Sequence, residues 1–424
     1  MPNRAFFTDR LHQAIERYNA RVDYGFSVLF LDFDRFKLVN DSLGHTVGDQ
    51  LLIAVAERLS HCVRPRDTVA RLGGDKFTIL LEDVTGMEQA ASTAERIQRE
   101  LSKPFVFGSQ TIHTSASIGI SSSAFNYEGA EDALRDADIA MCRAKTLGKA
   151  TYQVFTLEMR ERAVGLLTLE NNLRRAIERQ ELRVHYQPVV AIASGQLTGV
   201  GALLRWQHPQ LGMVSRAEFM PIAEETGLIV ELDRWILREA CRQLQVWQDV
   251  LPLTLNVNLS GKAFAHAGLV ESVDASLADT SFDPKNLRLE LTESVLVQSS
   301  EGTLITLAKL KTLGVELYID DFGTGYSSLS RLQSFPVDIL KVDQSFVSRI
   351  DEPQGHALVA AVLAMADALL LDVVAEGVET SAHAAALSAL GCRVAQGYLY
   401  SRPVPQPVPG LGCPAVPHQP ISSD

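Results

Sequence analysis

Thr198-Gly-Val-Gly-Ala-Leu-Leu-Arg-Trp206 is one of eight strand-like runs in the second half of this 424-residue chain. Apolar residues dominate each run, and helical spacers separate one run from the next. Eight strands that alternate with helices predict a closed (β/α)8 barrel. An open doubly wound sheet is the alternative that the pattern leaves open. The predicted strands are 183–190, 199–206, 253–260, 287–291, 315–320, 339–342, 372–375 and 394–398.

Polar side chains stand at the ends of these runs. They are Asn258, Glu290, Glu293, Asp320, Asp321, Lys341, Glu376 and Gln396. In a barrel the carboxyl ends of the strands converge on one face, and oxygen ligands favour Mg²⁺ or Mn²⁺ over zinc. Two such ions about 3.5–4 Å apart would hold a phosphodiester and activate water. A single acid at a strand end is more often a helix N-cap, so the pattern leaves this second interpretation open.

The bulk composition limits the classes of partner. A net charge of −12 argues against broad nucleic-acid or membrane binding, although a few arginines can still hold one small anion. Five cysteines without a Cys-x-x-Cys pair fit a reducing compartment. The N-terminus does not resemble a signal peptide, and Asp367 and Asp372 interrupt the apolar run 357–375, which predicts a helix followed by a strand. We therefore expect a cytoplasmic protein, or the cytoplasmic portion of a longer one.

Residues 169–405 resemble the EAL domain, the cyclic di-GMP phosphodiesterase family. The matching segments, in the family's order, are Tyr186-Gln-Pro188, Gly201-Ala-Leu-Leu-Arg-Trp206, Asn256-Val-Asn-Leu-Ser260, Glu290-Leu-Thr-Glu293, Asp320-Asp-Phe-Gly-Thr-Gly-Tyr-Ser-Ser-Leu329, Leu340-Lys-Val-Asp343, Ala375-Glu-Gly-Val-Glu-Thr380 and Gln396-Gly-Tyr-Leu-Tyr-Ser-Arg-Pro403. The resemblance implies a modified TIM barrel with one antiparallel strand. It also implies metal ligation by Asn258, Glu290, Asp320, Asp321 and Glu376.

The same resemblance assigns roles to the remaining residues of the site. Lys341 would help to hold the attacking water, so that Lys341 and Glu376 carry the catalysis. Glu379 and Gln396 would line the site, and Glu293 would brace the Asp-Asp-Phe-Gly loop. Gln187 and Arg205 would contact the ligand. The assignment of Arg205 also has an independent reason, because a planar guanidinium suits a phosphate.

Gly201 is the departure from the family, whose signature reads EALLRW where this chain reads GALLRW. The family's Glu at this position binds a metal. Second-shell changes alone typically cost ~10–100-fold in metal affinity, so the loss of a direct ligand is expected to cost at least as much. Arg205 does not depend on that carboxylate, so chemistry should be lost before ligand binding. The simpler interpretation, a small residue for close backbone approach, predicts the same loss of a ligand.

Residues 1–156 alternate strand and helix patterns. The predicted strands are 26–32, 77–81 and 112–120, and the predicted helices are 50–63, 88–101 and 132–146. Arg71-Leu-Gly-Gly-Asp-Lys-Phe77, the run from Leu31 to Asp49, and the run from Ala137 to Lys149 resemble the GGDEF family of diguanylate cyclases. The resemblance implies Mg²⁺ binding by Asp32 and Asp75, guanine recognition by Asn40 and Asp49, and phosphate contacts by Lys145 and Lys149.

Lys76 stands where that family has its catalytic Glu. A cation there disfavours metal binding and cannot act as a base, so cyclisation of GTP is not expected. A lysine can still favour GTP binding without turnover. Arg64 and Asp67 match the family's Arg-x-x-Asp inhibitory site, although on spacing alone a surface salt bridge is the commoner outcome. The family's segment before Met1-Pro-Asn-Arg is missing, which suggests a fragment or an upstream start.

These observations predict a GGDEF-like domain at 1–156, a connecting helix at 157–172, an EAL-like barrel at 173–405 and a Pro-rich disordered tail at 406–424. We expect a receptor that binds cyclic di-GMP in the barrel, with GTP as a second ligand of the first domain. A phosphodiesterase weakened by Gly201, which would yield linear pGpG, is the alternative, and a protein-interaction scaffold without ligand is a third. We also expect a protein partner, which the sequence does not identify, and a homodimer formed through the barrel.

Overall fold

The computed structural model describes residues 1–84, 86–108, 110–248, 252–293, 295, 301–323 and 332–405. The chain forms two compact units that divide between Thr168 and Leu169. The predicted tail 406–424 and residues 324–329 of the Asp-Asp-Phe-Gly segment lie outside the described residues. No helix of the described residues combines the length and the apolar composition needed to cross a bilayer.

The first unit is built on a five-stranded sheet of order β2-β3-β1-β6-β7, accompanied by the hairpin β4-β5. The strands are β1 Phe26–Phe33, β2 Thr68–Gly73, β3 Lys76–Glu82, β4 Phe105–Phe107, β5 Gln110–Ile112, β6 Ala116–Ser122 and β7 Tyr152–Val154. The helices are Arg4–Ala20, Phe36–Leu43, His45–His61, Met87–Leu101 and Ala130–Thr146, with a short 3-10 turn at Ser123–Phe125. The next helix, Leu157–Ala176, contains the division between the two units. Leu29 and Leu31 of β1 are fully buried, so the sheet is covered on the face that carries them.

The prediction of one strand over 112–120 is wrong. β5 ends at Ile112 and β6 begins at Ala116. β5 pairs with β4 in the separate hairpin, whereas β6 pairs with β1 and β7 in the five-stranded sheet, so the predicted run spans two different sheets. Just before β6, the Ser115 carbonyl accepts the Asp34 N–H at 3.0 Å, and the Ser115 hydroxyl donates to Asp34 Oδ2 at 2.6 Å. This contact joins residues 81 positions apart, so no local pattern indicates it.

The second unit is a closed barrel, which confirms the predicted fold and excludes the open sheet. The strands are β8 Leu182–Ala191, β9 Leu197–His208, β10 Gly212–Val214, β11 Thr254–Leu259, β12 Leu287–Thr292, β13 Glu316–Phe322, β14 Ile339–Val342, β15 Asp372–Ala375 and β16 Val394–Gln396. Strands β9 and β11 to β16 run parallel in chain order. β8 closes the barrel antiparallel to both β9 and β16, and β10 is a short antiparallel addition to β9.

Helices follow the barrel strands and cover their outer side. They are Arg216–Thr226, Ile229–Gln248, Gly261–Ala265, Leu269–Thr280, Glu301–Thr312, Gln344–Val347, Pro353–Ala368 and Ser381–Ala389, with a 3-10 turn at Pro284–Asn286. Successive strand side chains point to opposite faces. In β12 this alternation packs Leu289 and Leu291 into the apolar core, where both are fully buried, and turns Glu290 to the other face, into the barrel. The barrel interior is therefore polar where these strands end.

Candidate ligand and metal site

Strand register brings the predicted residues of the barrel to one end. Asn258 of β11 lies beside Glu290 of the neighbouring strand β12, and Thr292 of β12 lies beside Asp320 of β13. Glu376 directly follows β15. Because these strands are parallel, all of these positions lie at the carboxyl ends of the strands, on one rim of the barrel.

Lys341 of β14 is the centre of this cluster. Its Nζ lies 2.5 Å from Glu376 Oε1, 2.8 Å from Glu290 Oε2 and 3.1 Å from Asp320 Oδ1. The side chains of Lys341 and Glu290 are each 3% exposed. A buried charge is tolerated only when it is paired, so one lysine holds three carboxylates in fixed positions.

The charges of the cluster shift the pKa values of its members. Burial lowers the pKa of Lys341, but the three carboxylates outweigh this and hold it well above its usual value. Burial raises the pKa of Glu376 to about 7, with Lys341 opposing the shift and Asp320 and Glu290 adding to it. One lysine cannot neutralise three carboxylates, so the cluster retains excess negative charge that favours a further cation.

Asp321 supplies a fourth carboxylate through an unusual backbone conformation. Its φ is +55°, in the left-handed region, and the pairing of β13 with β14 shifts register between Ile319 and Phe322. The Asp321 N–H donates to Asp320 Oδ1 at 3.0 Å. Because of this bulge, two consecutive aspartates face the same rim, and ligand oxygens of Asp320, Asp321 and Glu376 come within 4.8 Å of one another. An all-carboxylate set of this kind fits a divalent cation that prefers oxygen.

Gly201 lies on β9 beside this cluster, opposite Gln187 of β8 and next to Asn256 of β11. An added Cβ would lie 3.2 Å from Gln396 Nε2 and 3.8 Å from Gln396 Oε1. Gln396 Nε2 donates to Gln187 Oε1 at 2.8 Å, whereas Gln396 Oε1 is buried without a hydrogen-bond partner among the described residues. The tightest contact of an added Cβ is therefore with a flexible amide, whereas the nearest backbone atom, the Gln187 carbonyl oxygen, lies at an ordinary 3.9 Å.

Asn256 is a functional candidate that the sequence analysis missed. Its Nδ2 donates to Glu290 Oε1 at 3.0 Å, and its Oδ1 is buried without a partner among the described residues. Asn256 thus orients the carboxylate that Lys341 holds from the other side. The available signal was its spacing of two from Asn258, which places both amides on the same face of β11.

The remaining ligand-site predictions lie at the same rim or just outside it. Arg205 of β9 is half-buried and donates from Nη1 to the Leu204 carbonyl at 2.9 Å. Glu293 accepts the Gly323 N–H at 3.0 Å, in the segment that follows Asp320 and Asp321. Glu379, in contrast, is exposed beyond β15. Gln187 and Gln396 are joined to each other at the closure of the barrel.

In the first unit, two lysines surround the buried Asp32. Lys145 Nζ lies 2.6 Å from Asp32 Oδ1, and Lys76 is the Cα partner of Asp32 across β1 and β3. Lys76 Nζ also lies 5.6 Å from the centre of the Phe30 ring. Asp138 is nearby: burial raises its pKa, and Lys76 and Lys145 oppose that shift. The negative charge of Asp32, a predicted Mg²⁺ ligand, is thus already compensated by the lysines of the protein itself.

Two family profiles match the chain. One, described as the EAL domain, matches residues 170–403, and the other, described as the diguanylate cyclase GGDEF domain, matches residues 1–151. The chain belongs to the tandem GGDEF–EAL family.

Curated relatives and solved structures agree with this assignment. The bifunctional diguanylate cyclase/cyclic di-GMP phosphodiesterase MucR of Pseudomonas aeruginosa is 44% identical over 408 residues, which cover 96% of this chain and 59% of that protein. The cyclic di-GMP phosphodiesterase NbdA of the same organism is 40% identical over 96% of this chain and 52% of its own length. The solved structure of the MucR phosphodiesterase in complex with c-di-GMP is 46% identical, with a TM-score of 0.54, and it covers 56% of this chain and 98% of that one. The chain thus spans little more than half the length of these two curated relatives.

The residues predicted to bind a nucleotide in the GGDEF domain do not form a single cluster of contacts among the described residues. Asn40 is half-buried, and its Oδ1 would lie 1.9 Å from a Cβ added at Gly48, so a larger residue there would require the Asn40 side chain to move. Asp49 and Lys149 are exposed. Asp75 follows a turn in which Gly73 and Gly74 both have positive φ. Lys145 and Asp32 are in direct contact. Among the described contacts, none joins Asn40, Asp49, Asp75 or Lys149 to either of these two residues.

Arg64 and Asp67 form a turn in the GGDEF domain. The Arg64 N–H donates to Asp67 Oδ2 at 2.8 Å, and the Glu82 N–H donates to Asp67 Oδ1 at 3.2 Å. The Arg64 side chain is not ion-paired with Asp67 within the described residues, so the surface salt bridge between them does not form. Both residues line a cleft of about 800 Å³ to which Arg10, Arg17, Arg21 and Arg66 also contribute. Glu82 pairs with Arg10 and Arg17, and Asp83 pairs with Arg66, so within the described residues Arg21 and Arg64 are the arginines of this cleft without an acidic partner. Two such guanidiniums suit an anionic ligand.

Proposed function

We propose that this protein is a cyclic di-GMP receptor that binds the dinucleotide in its EAL barrel and hydrolyses it poorly or not at all. The observation that carries the proposal is the combination at β9, where Gly201 offers no carboxylate to the cluster and Arg205 keeps its guanidinium at the same rim. Arginine suits the phosphodiester, whereas hydrolysis depends on metal-activated water. Loss of one metal ligand therefore reduces chemistry more than binding.

The metal would be Mg²⁺ or Mn²⁺, held more weakly than in a complete site. Asp320, Asp321 and Glu376 would hold it, with Asn258 and Glu290 as the further oxygen donors. When bound, such an ion supplies an activated water and neutralises charge on the phosphodiester. Lys341 keeps the carboxylates in place whether or not the ion is bound.

A weakened phosphodiesterase is the second candidate. The carboxylate cluster around Lys341 favours it, because three predicted metal-site residues are held together by one buried cation. The names of the two relatives above include phosphodiesterase activity, and the solved relative contains cyclic di-GMP. In this case the product would be linear pGpG.

For the GGDEF domain we propose binding of GTP without cyclisation, since Lys76 and Lys145 provide cations near Asp32 rather than a base. Cyclic di-GMP at the Arg64–Asp67 cleft, a homodimer through the barrel, an unidentified protein partner and a cytoplasmic location are further proposals. None of them is needed for the receptor function.

One combined experiment separates these candidates. Calorimetric titration with cyclic di-GMP, with EDTA and then with Mn²⁺, measures binding, and anion-exchange chromatography of the same samples measures pGpG. The receptor proposal expects micromolar or tighter binding in EDTA that Arg205→Ala abolishes, together with turnover close to the protein-free control. Turnover well above that control and abolished by Asp320→Asn would favour the phosphodiesterase. Absence of binding in every condition would refute both.

A further inference from the structure

Arg216 lies on the same rim of the barrel as Arg205. The short strand β10 pairs with the end of β9, with Val214 opposite Trp206, the residue after Arg205. Two residues beyond Val214, Arg216 begins the helix Arg216–Thr226, which Ser215 caps. Adjacent elements therefore carry both arginines over the mouth of the barrel.

The two guanidiniums share one feature, which is the lack of a carboxylate partner among the described residues. Neither Arg205 nor Arg216 has a carboxylate oxygen of that part of the chain within 4.0 Å, although both side chains are half-buried. Burial lowers the pKa of each arginine, and for Arg205 the neighbouring charge of Arg216 lowers the pKa further. Two like charges held close together without a direct ion-pair partner favour an anion that contacts both.

The charged groups that act on Arg216 are Asp233 on one side and two acids of the cluster around Lys341 on the other. Its pKa is lowered by burial, and the charges of Asp233, Asp320 and Glu290 oppose that shift, in this order of size. Asp320 and Glu290 belong to the cluster around Lys341, so the guanidinium lies within electrostatic reach of the candidate metal site.

Asp233 offers a competing explanation, in which Arg216 only compensates a buried acid. Asp233 Oδ2 accepts the Ser260 N–H at 2.8 Å and is thereby partly satisfied without Arg216. No ion pair within 4.0 Å joins Arg216 to Asp233 among the described residues. The N–H groups of the guanidinium are therefore not committed to Asp233.

We propose that Arg216 is a second ligand-binding arginine, which contacts a phosphodiester of the dinucleotide together with Arg205. This inference rests on the proposed binding of cyclic di-GMP and identifies a residue that determines affinity for it. The same positive charge opposes a cation at Asp320 and Glu290. Arg216 therefore shifts the barrel towards the anionic ligand and away from the metal.

The test measures these two opposite effects in the full chain. Arg216→Ala is expected to weaken cyclic di-GMP binding in EDTA about tenfold to hundredfold, as for a lost hydrogen bond to a charged group. It is also expected to tighten Mn²⁺ binding several-fold in the absence of nucleotide. Arg216→Lys should keep Mn²⁺ affinity at the wild-type value and still lose ligand affinity, because lysine lacks the fork. Arg234→Ala, an exposed arginine on the helix Ile229–Gln248, removes the same charge and should change neither quantity.

The outcomes separate this inference from the proposed function. Wild-type ligand affinity in Arg216→Ala would overturn the inference, and so would a loss of affinity that disappears in an Asp233→Asn background. If the wild type binds no cyclic di-GMP, the proposed function fails and the ligand part of the inference fails with it. The Mn²⁺ titration then tests only whether the charge of Arg216 acts on Asp320 and Glu290. Unchanged Mn²⁺ affinity in Arg216→Ala would refute that part of the inference. Arg216→Gln provides a second variant if Arg216→Ala does not fold, as judged by its circular dichroism.

Discussion

Gly201→Glu should restore metal binding to the barrel at little structural cost. The new Cβ would lie 3.2 Å from Gln396 Nε2, so the Gln396 amide has to shift by a few tenths of an ångström, at most at the expense of its hydrogen bond to Gln187. The lost hydrogen bond costs about 0.5–1.5 kcal/mol. Replacing a strand glycine recovers roughly 0.5–1 kcal/mol of backbone entropy. We therefore expect a change of less than about 1 kcal/mol from these two effects when metal is bound.

The gain in metal affinity should be much larger. A carboxylate at position 201 of β9, beside Asn256 of β11, is expected to add a direct ligand and to tighten Mn²⁺ binding at least ~10–100-fold, or by about 1.4–2.7 kcal/mol. Without metal the same carboxylate adds charge to an already acidic cluster, so the variant should be less stable in EDTA than in Mn²⁺.

The assay is Mn²⁺ calorimetry followed by measurement of pGpG formation. Gly201→Gln is the matched control, since it has the same size without the charge. The reasoning is refuted if Gly201→Glu binds Mn²⁺ no more tightly than wild type, or if Gly201→Gln performs equally well. Wild-type turnover already equal to that of Gly201→Glu would refute the assignment of Gly201 as the limiting position.

Three further predictions test other parts of the molecule. Lys341→Met should destabilise the barrel by about 3–5 kcal/mol, because Glu290 loses its buried cation; urea unfolding followed by tryptophan fluorescence measures this, and a loss below about 1 kcal/mol would contradict it. Burial raises the pKa of Asp233 to about 6 from 3.8, so the unfolding free energy should fall by about 3 kcal/mol as pH rises from about 3 to about 7. In this pH range the folded state binds one proton more than the unfolded state, on Asp233. Asp233→Asn should therefore remove this part of the pH dependence of the unfolding free energy, and an unchanged pH dependence would contradict the prediction. Lys76→Glu should strengthen Mn²⁺ binding beside Asp32 at least about tenfold, visible as an additional calorimetric site, whereas an unaltered isotherm would argue that Lys145 alone compensates Asp32.

The barrel strands could be located from the sequence because each is a short apolar run between helical spacers. The eight predicted runs correspond to β8, β9 and β11 to β16. The expectation of one antiparallel strand came from the family resemblance, since an apolar run looks the same in either direction, and only the structure identifies that strand as β8. The strand prediction at 112–120 failed because the two ends of the run join different sheets: β5 pairs with β4, and β6 pairs with the distant β1.

The site could be predicted as a set of positions but not as a set of contacts. Strand ends converge in a barrel, so polar residues at predicted strand ends already indicate a shared site. That Lys341 pairs with three carboxylates, or that Asn256 fixes Glu290, depends on distances across neighbouring strands. Arg216 carries no motif at all, and only its position beside Arg205 draws attention to it.

The antiparallel closure by β8 also sets the order in which the site can be built. Gln187 and Gln396, which border Gly201, are 209 residues apart and meet only when β16 reaches β8. At a synthesis rate of about 5–20 residues per second, β8 waits roughly 10–40 s before β16, its second neighbour in the barrel, has been made. During that interval the glycine-rich edge of β9 has no closed barrel around it. The junction beside Gly201, where Gln187 meets Gln396, is thus among the last parts of the barrel to form during synthesis, and a chain that ends before β16 would lack it.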